Sequence, residues 1–144
     1  MGSYAPRQVD DFSPLREMGL PRTPSEQIAA VRTGLPVATF RALAKALGIS
    51  EAALAGFTGL SQTTLTRRKR GGRLYPDEGE HLLRLALLLE RASAVFDSAA
   101  DAADWLKSSN PSLGNSTPLD FARSEIGARE VVDLLGRIEY GVYS

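Results

Sequence analysis

A leucine-rich stretch from Pro76 to Phe96 constrains the fold more than any other part of the chain. The stretch reads "PDEGEHLLRLALLLERASAVF", and it is apolar around most of a helical circumference, with one stripe formed by Leu82, Leu85, Leu89 and Phe96. A helix with so wide an apolar surface is stable only when other elements surround it. We therefore expect this segment to be the central helix of the core.

The other apolar segments also follow a helical period. Apolar side chains recur at i, i+3, i+4 and i+7 from Phe40 to Leu47, and a similar pattern runs from Ile126 to Ile138. Helix-start and helix-stop residues punctuate these segments, among them Pro36, Gly48, Ser50, Gly59, Ser61, Ser124 and Gly141. No stretch alternates with the period of two that a strand requires, and no internal repeat is visible. The sequence predicts an all-α fold.

Composition excludes several classes of protein. The chain has 144 residues, of which 43% are hydrophobic, so it can form one medium domain or two small ones. It contains no cysteine, which excludes disulfides, thiolate zinc sites and cysteine nucleophiles. No apolar run approaches the roughly 18 residues of a membrane span, and the first residues lack the pattern of a signal peptide. We expect a soluble, cytoplasmic protein that does not contact a membrane.

The beginning of the chain carries many helix-breaking residues. Residues 1–24 are rich in glycine, proline and serine, so we expect a flexible arm there. Pro24 then marks the start of a short helix that ends near Arg32. That helix has too few apolar residues to bury much surface, and we expect it to dock on a neighbouring element or on a second copy.

Charge is distributed unevenly although the total is zero. Residues 1–74 carry 11 basic and 5 acidic residues, a net of +6, and residues 75–144 carry 6 and 12, a net of −6. Five of the basic residues lie within seven positions of "LSQTTLTRRKRGGRL", residues 60–74. Such an asymmetry suggests two surfaces with different partners, although two ordinary solvated faces would give it as well.

The basic run ends a unit with the pattern of a helix-turn-helix, from Glu51 to Arg70. Ala55 is small enough for two helices to cross, and Gly59 suits the turn between them. Short polar side chains at the start of the second helix can read base edges, and the cations that follow can hold phosphates. The predicted DNA-binding residues are Ser61, Gln62, Thr63, Thr66, Arg67, Arg68, Lys69, Arg70 and Arg73.

Two observations weigh on this prediction. Cations near a helix C-terminus also stabilise the helix dipole, by roughly 0.3–1 kcal/mol, although one or two would be enough for that purpose. Position 68 is often an inward-facing aliphatic residue in a helix-turn-helix, and here it is Arg68, so the helix either ends early or lets this side chain reach past the core to solvent.

The C-terminal part carries a set of short motifs. They are Asn110-Pro111, Leu113-Gly114, Thr117-Pro118, Gly127-Ala128 and Leu134-Leu135-Gly136-Arg137-Ile138, the last of which precedes a glycine. In this combination they resemble the toxin-binding domain of the MbcA/ParS/Xre antitoxins. The upstream "RRKRGGRL" and the leucine-rich helix after it resemble the Xre-type helix-turn-helix that precedes this domain. The resemblance covers about residues 34–144 and implies two domains, a helix-turn-helix at 25–74 and a helical toxin-binding domain at 75–144.

The resemblance also implies a function. Such proteins are antitoxins of type II toxin–antitoxin pairs, and their usual partner is a RES-domain toxin that consumes NAD. The antitoxin masks the active site of the toxin through its C-terminal domain and binds its own operator DNA through the helix-turn-helix. NAD belongs to the partner, so no cofactor is expected here. The expected toxin-binding residues are Leu134, Arg137, Ile138, Tyr140, Gly141, Val142, Tyr143 and Ser144.

An enzymatic function finds little support in the residues. His81 is the one histidine, and no second histidine or cysteine accompanies it as a metal ligand or nucleophile. Gly71-Gly72 lacks the strand and the Gly-Lys-Ser/Thr of a phosphate-binding loop. We expect a protein that is not an enzyme, with no catalytic residue and no metal.

Two other functions remain open at this point. An ordinary helix-turn-helix repressor would bind DNA in the same way and use its C-terminal half only to dimerise. An adaptor that has lost DNA binding would also be consistent with Arg68 and with the neutral total charge. A homodimer is expected in any case, because helix-turn-helix proteins usually span two half-sites.

Overall fold

The computed structural model describes residues 13–141, and they form a helical structure. Nine α-helices lie within this range, joined by short turns and by one 3-10 turn at Pro111–Leu113. They are α1 (Pro14–Glu17), α2 (Pro24–Thr33), α3 (Val37–Leu47), α4 (Glu51–Thr58), α5 (Gln62–Gly71), α6 (Pro76–Phe96), α7 (Ala99–Leu106), α8 (Pro118–Phe121) and α9 (Glu125–Glu139). The described residues contain isolated β-bridges but no strand. The all-α prediction is confirmed.

The leucine-rich segment is the central helix, as predicted. Helix α6 has 21 residues, about 31 Å at 1.5 Å per residue, and contacts α1, α2, α3, α4, α7 and α9. Its Leu82, Ala86, Leu89 and Ala92 are completely buried. One continuous cluster of buried side chains extends from Leu15 to Leu135 through both predicted domains. Helix α6 is therefore shared by the two halves of the molecule.

Residues 13–24 are ordered, in contrast to the flexible arm expected from their composition. The prolines begin helices here, since Pro14 and Pro24 occupy first-turn positions of α1 and α2. Apolar side chains of this segment enter the core, and they are Leu15, Met18 and Leu20. The carboxylate of Glu90 on α6 accepts hydrogen bonds from the Ser13 hydroxyl at 3.0 Å and from the Leu15 N–H at 3.1 Å. Residues 1–12 of the expected arm lie outside the described residues.

The predicted helix boundaries agree with the observed ones to within a few residues. Gly48, Gly59 and Gly141 follow helices with φ near +70°, a conformation that side chains other than glycine rarely adopt. The Ser50 and Ser124 hydroxyls cap α4 and α9 by accepting backbone N–H groups. Two details differ from expectation. Pro36 is the N-cap of α3 rather than its first helical residue, and the loop after α7 contains the 3-10 turn.

No helix in the described range, residues 13–141, is both long enough and apolar enough to cross a bilayer.

Candidate nucleic-acid and protein-binding surfaces

Helices α4 and α5 form the predicted helix-turn-helix. Leu54 and Ala55 of α4 are completely buried, and Gly59 makes the turn in the left-handed conformation with φ +74°. The Ser61 hydroxyl then caps α5 by accepting the Thr64 N–H at 3.1 Å. Leu65 is the buried residue of α5, Thr64 and Arg68 are partly buried, and the other side chains of this helix are exposed. We call α5 the recognition helix from here on.

The polar residues predicted to face bases lie on the exposed start of the recognition helix. Ser61, Gln62, Thr63 and Thr66 are all exposed. Ser61 is already engaged as the helix cap, and the Thr66 hydroxyl donates to the Gln62 carbonyl oxygen at 3.0 Å. The side chains of Gln62 and Thr63 are therefore the ones best placed to reach an external acceptor or donor.

The predicted phosphate-binding cations divide into two groups. Arg67 and Arg70 are exposed, and neither guanidinium is in an ion pair within the described part of the chain. Lys69 pairs with Glu51 on α4 at 2.7 Å. Arg73 donates to the Gly34 carbonyl oxygen at 2.7 Å and so ties the end of the helix-turn-helix to the segment after α2. All four are exposed and can approach a polyanion. Arg67 and Arg70 can do so without breaking an ion pair within the described residues.

Arg68 occupies a different position from the one predicted. Its guanidinium donates two hydrogen bonds to the Glu78 carboxylate, from Nε at 2.8 Å and from Nη2 at 2.9 Å. The guanidinium carbon also lies 3.5 Å from the centre of the Tyr75 ring. Only 11% of each charged side chain of the pair is exposed. Arg68 faces inward because an aromatic ring and a carboxylate from the start of α6 replace the aliphatic contact usual at this position.

The environment of Glu78 favours its charged form. Burial opposes ionisation, but the hydrogen bonds from the Arg68 guanidinium and from the Tyr75 N–H outweigh it and hold the pKa of Glu78 below its ordinary value. Conversely, the hydrogen bond to Glu78 raises the pKa of Arg68 against the effect of burial. The sequence analysis did not identify Glu78 as the partner of Arg68, because an acidic residue in the first turn of a helix is already expected from the helix dipole.

The predicted toxin-binding residues lie on and after the last turn of α9. Arg137, Tyr140 and Gly141 are not buried, and Tyr140 keeps 77% of its surface in solvent. Ile138 is half-buried against the core, and Leu134 is completely buried. In this structure Leu134 is a core residue that supports α9 and is not available to a partner. The remaining residues of the predicted set, Val142, Tyr143 and Ser144, lie outside the described residues.

An ion pair ties the last turn of α9 to α6. Arg91 Nη2 donates to Glu139 Oε1 at 2.7 Å, and about a third of each side chain is exposed. The hydrogen bond from Arg91 lowers the pKa of Glu139, and burial opposes this effect weakly. Sequence reasoning missed this pair too, since the two residues are 48 positions apart.

A shallow apolar groove of about 450 Å³ runs between α6 and α9. Its apolar lining consists of Leu83, Leu87, Leu88, Ala128 and Val132, and its rim carries Glu80, Arg84, Glu125 and Arg129. Leu87 and Val132 are 39% and 42% exposed, and nearby Ile126 is 76% exposed. The helical period predicted these residues as part of a buried face. The period could not show that Leu87, Ile126 and Val132 stay exposed because no other element of the described structure covers them.

No group of three or more potential metal ligands occurs among residues 13–141. His81 lies beside Arg84, whose Nη1 is 3.1 Å from the ring Nδ1, and Arg84 also donates to the Arg123 carbonyl oxygen. These contacts connect the turn after α8 to α6, which is a structural role.

Comparison with known proteins matches both halves of the molecule. Residues 26–87 match the family described as the antitoxin Xre-like helix-turn-helix domain, and residues 91–141 match the antitoxin Xre/MbcA/ParS C-terminal toxin-binding domain. The two matches meet inside α6, whereas the sequence suggested a division between residues 74 and 75.

Two curated relatives align with the chain from end to end. The antitoxin Xre of Yersinia enterocolitica serotype O:8 / biotype 1B is 31% identical over 148 aligned positions, which cover all of both chains. The antitoxin Xre of Photorhabdus laumondii subsp. laumondii is 28% identical over 148 aligned positions, again covering all of both. With its helix-turn-helix and its toxin-binding domain both matched, the chain belongs to the Xre family of antitoxins.

Proposed function

We propose that the chain neutralises a RES-domain, NAD-consuming toxin by covering its active site, and that it represses its own promoter through the recognition helix. The observation that carries this proposal is the separation of two exposed surfaces along α6. The recognition helix is attached at Glu78 and the end of α9 at Arg91, 13 residues further along α6, or about 20 Å. The two proposed binding surfaces therefore attach to different parts of α6, and DNA and a protein partner would contact different side chains. The proposed role is one of binding, in the cytoplasm, where promoter DNA is found.

Charge and shape support a protein partner at the end of α9. Residues 75–144 have a net charge of −6, which would complement a basic nucleotide-binding cleft and speed the encounter with it. Tyr140 presents an exposed ring with a hydroxyl that can bury apolar area and still form a hydrogen bond. We propose that Arg137, Tyr140 and the residues from Gly141 to Ser144 enter the cleft of the toxin.

Deletion of residues 142–144 tests this part of the proposal. The truncated chain should protect cells poorly when it is co-expressed with the toxin, and it should still retard a duplex from its own promoter in a gel-shift assay. Full protection by the truncated chain would remove these residues from the mechanism.

DNA binding is proposed to depend on the exposed cations of the recognition helix. Changing Arg67 and Arg70 together to Ala should weaken promoter binding. The plot of log K against log salt should also become less steep, by about 0.9 in slope for each phosphate that the variant no longer neutralises. Fluorescence anisotropy at several salt concentrations measures both quantities. An unchanged slope would show that these two guanidinium groups do not contact phosphate.

A second copy is the proposed occupant of the groove between α6 and α9. The groove has an apolar floor, and two acidic and two basic residues share its rim, so it has no net charge that would favour a strongly charged partner. Two-fold assembly would also supply the paired recognition helices that two half-sites require. Changing Val132 to Arg should shift the mass in light scattering from dimer to monomer. An unchanged mass would place the dimer contact elsewhere.

A further inference from the structure

The recognition helix has little apolar anchorage of its own. Leu65 is its buried residue, whereas α9, which is half as long again, buries five residues. One leucine alone would let the helix rotate or tilt with small loss of buried area. Polar contacts also hold it, since Lys69 pairs with Glu51 on α4 and Arg73 bonds to the segment after α2. These contacts do not fix the helix relative to α6, so a further contact is needed to set that angle.

The contact that ties the helix to α6 is the cluster of Arg68, Tyr75 and Glu78, and its ion pair is more buried than the Lys69–Glu51 pair. The guanidinium forms two roughly parallel hydrogen bonds to one carboxylate, at 2.8 and 2.9 Å, and stacks on the Tyr75 ring. The same carboxylate accepts the Tyr75 N–H at 2.8 Å, which fixes it within the first turn of α6. A two-point contact of this kind defines an orientation as well as a distance.

We propose that Arg68 is a positioning residue for operator recognition, which holds the recognition helix at a set angle to α6 and does not itself contact DNA. The inference rests on the proposed DNA binding and assigns a role within it. Helix α6 is a suitable reference because its Leu82, Leu85 and Leu89 are fixed in the core.

Geometry disfavours a phosphate contact by the same side chain. Two N–H groups of Arg68 are already bonded, and only 11% of its side chain is exposed. A phosphate contact that drew the guanidinium out to the surface would break both bonds and leave a buried Glu78 carboxylate without its partner, which is strongly unfavourable. The nearby Arg67 and Arg70 can reach a phosphate without that loss.

Glu78→Gln gives the sharpest test, because the two roles of Arg68 predict opposite results. If Arg68 positions the helix, the loss of its partner carboxylate lowers affinity for the promoter by about tenfold, since misplaced side chains lose base contacts. Affinity for a random duplex and the salt slope should change little. If Arg68 binds phosphate, releasing it from Glu78 raises affinity for both duplexes. Asp77→Asn is the matched control, because it makes the same charge change one residue away on the exposed surface.

Arg68→Lys provides a second, independent test. Lysine keeps the charge but lacks the planar fork, so a positioning role predicts that the preference for promoter over random DNA falls as in Glu78→Gln. A phosphate-binding role predicts that lysine preserves both affinities. All measurements use fluorescence anisotropy well below the melting temperature of each variant, as checked by circular dichroism, so that unfolding does not enter the comparison.

The outcomes separate the inference from the function on which it rests. The positioning role is supported if the unmodified chain prefers the promoter, both variants lose this preference, and binding to random DNA persists. Selective binding that both variants retain overturns the inference and leaves the proposed function intact. An unmodified chain that binds promoter and random duplexes equally overturns both.

Discussion

The two ends of α6 hold their partner helices by different physical means. At the N-terminal end the recognition helix contributes one buried residue, Leu65, and a charged pair that is almost excluded from water. Near the C-terminal end α9 contributes five buried residues, and its ion pair, Arg91–Glu139, is about one-third exposed. The first attachment depends on a polar contact, whereas the second depends on apolar packing.

The difference follows from what each helix must leave exposed. A helix that reads DNA needs polar and cationic side chains around most of its surface, so little of its circumference is left for a core. Helix α9 is proposed to meet the toxin only with its last turn, and the rest of it can be amphipathic. A buried ion pair gives orientation at some cost in stability, and apolar burial gives stability with a less defined angle.

The largest expected effect tests the apolar end. A Cβ at Gly127 would lie 1.6 Å from the Phe121 carbonyl oxygen, a backbone atom that cannot move aside alone. Gly127→Ala should therefore destabilise the fold by more than about 3 kcal/mol, beyond ordinary overpacking. Urea denaturation measures the change. Gly136→Ala on the same helix is the control, since its Cβ would meet nothing within 4 Å, and it should stabilise the fold by about 0.5–1 kcal/mol.

The next effect compares the two ion pairs directly. Glu78→Ala leaves the Arg68 charge in a largely buried site and removes a bond to the Tyr75 N–H, so unfolding should become easier by about 3 kcal/mol. Glu139→Ala should change stability little, because the freed Arg91 is partly exposed and water can solvate it. Both variants are to be unfolded in urea under the same conditions. Equal losses would mean that burial does not distinguish the two pairs.

Acid should weaken the N-terminal attachment. The folded protein holds the pKa of Glu78 below its ordinary value of about 4.3, so the pair contributes its full stability above that pH. The contribution is lost as the pH falls through the lower folded value. Between about pH 5 and pH 3 the melting temperature should fall more steeply for the unmodified chain than for Glu78→Gln. The same dependence of melting temperature on pH in both proteins would contradict the lowered pKa of Glu78.

The smallest effect concerns Ser93, two residues beyond Arg91 on α6. The Ser93 hydroxyl on α6 is buried, and no hydrogen-bond partner for it exists among the described residues. Ser93→Ala removes a desolvated polar group and adds a good helix former, so stability should be unchanged or rise by up to about 1 kcal/mol. A loss of stability in urea would indicate an ordered water or a partner from outside residues 13–141.

Much of the fold could be predicted because its signals are local. Capping serines, glycines in the left-handed conformation and the 3.6 period each act within a few residues, and they located α3 to α6 and α9 well. The segment from Ser13 to Leu20 could not be predicted in this way. Its composition is that of a loose arm. Glu90, 77 positions from Ser13, holds it on α6 together with the buried side chains of Leu15, Met18 and Leu20.

The candidate binding surfaces likewise contain some features that the sequence predicts and others that it does not. The sequence pattern predicted the exposed polar start of the recognition helix, and the family resemblance implied the residues around Tyr140. The described residues of both sets are mostly exposed. Sequence reasoning singled out Arg68 as unusual at a position that often faces inward, but it could not identify Glu78 and Tyr75 as the groups that meet it there. It also could not show that Leu134 is buried while Val132, two residues away, stays partly exposed.

The amino-acid sequence alone determined the helical class, the helix boundaries, the helix-turn-helix pattern and the family resemblance, all of which depend on short-range chemistry and periodicity. Tertiary structure alone decided which cation turns inward and which apolar face stays uncovered. It did so because a side chain's role is set by the group that meets it across the core. That group lies 10 residues away for Arg68 and 48 for Arg91.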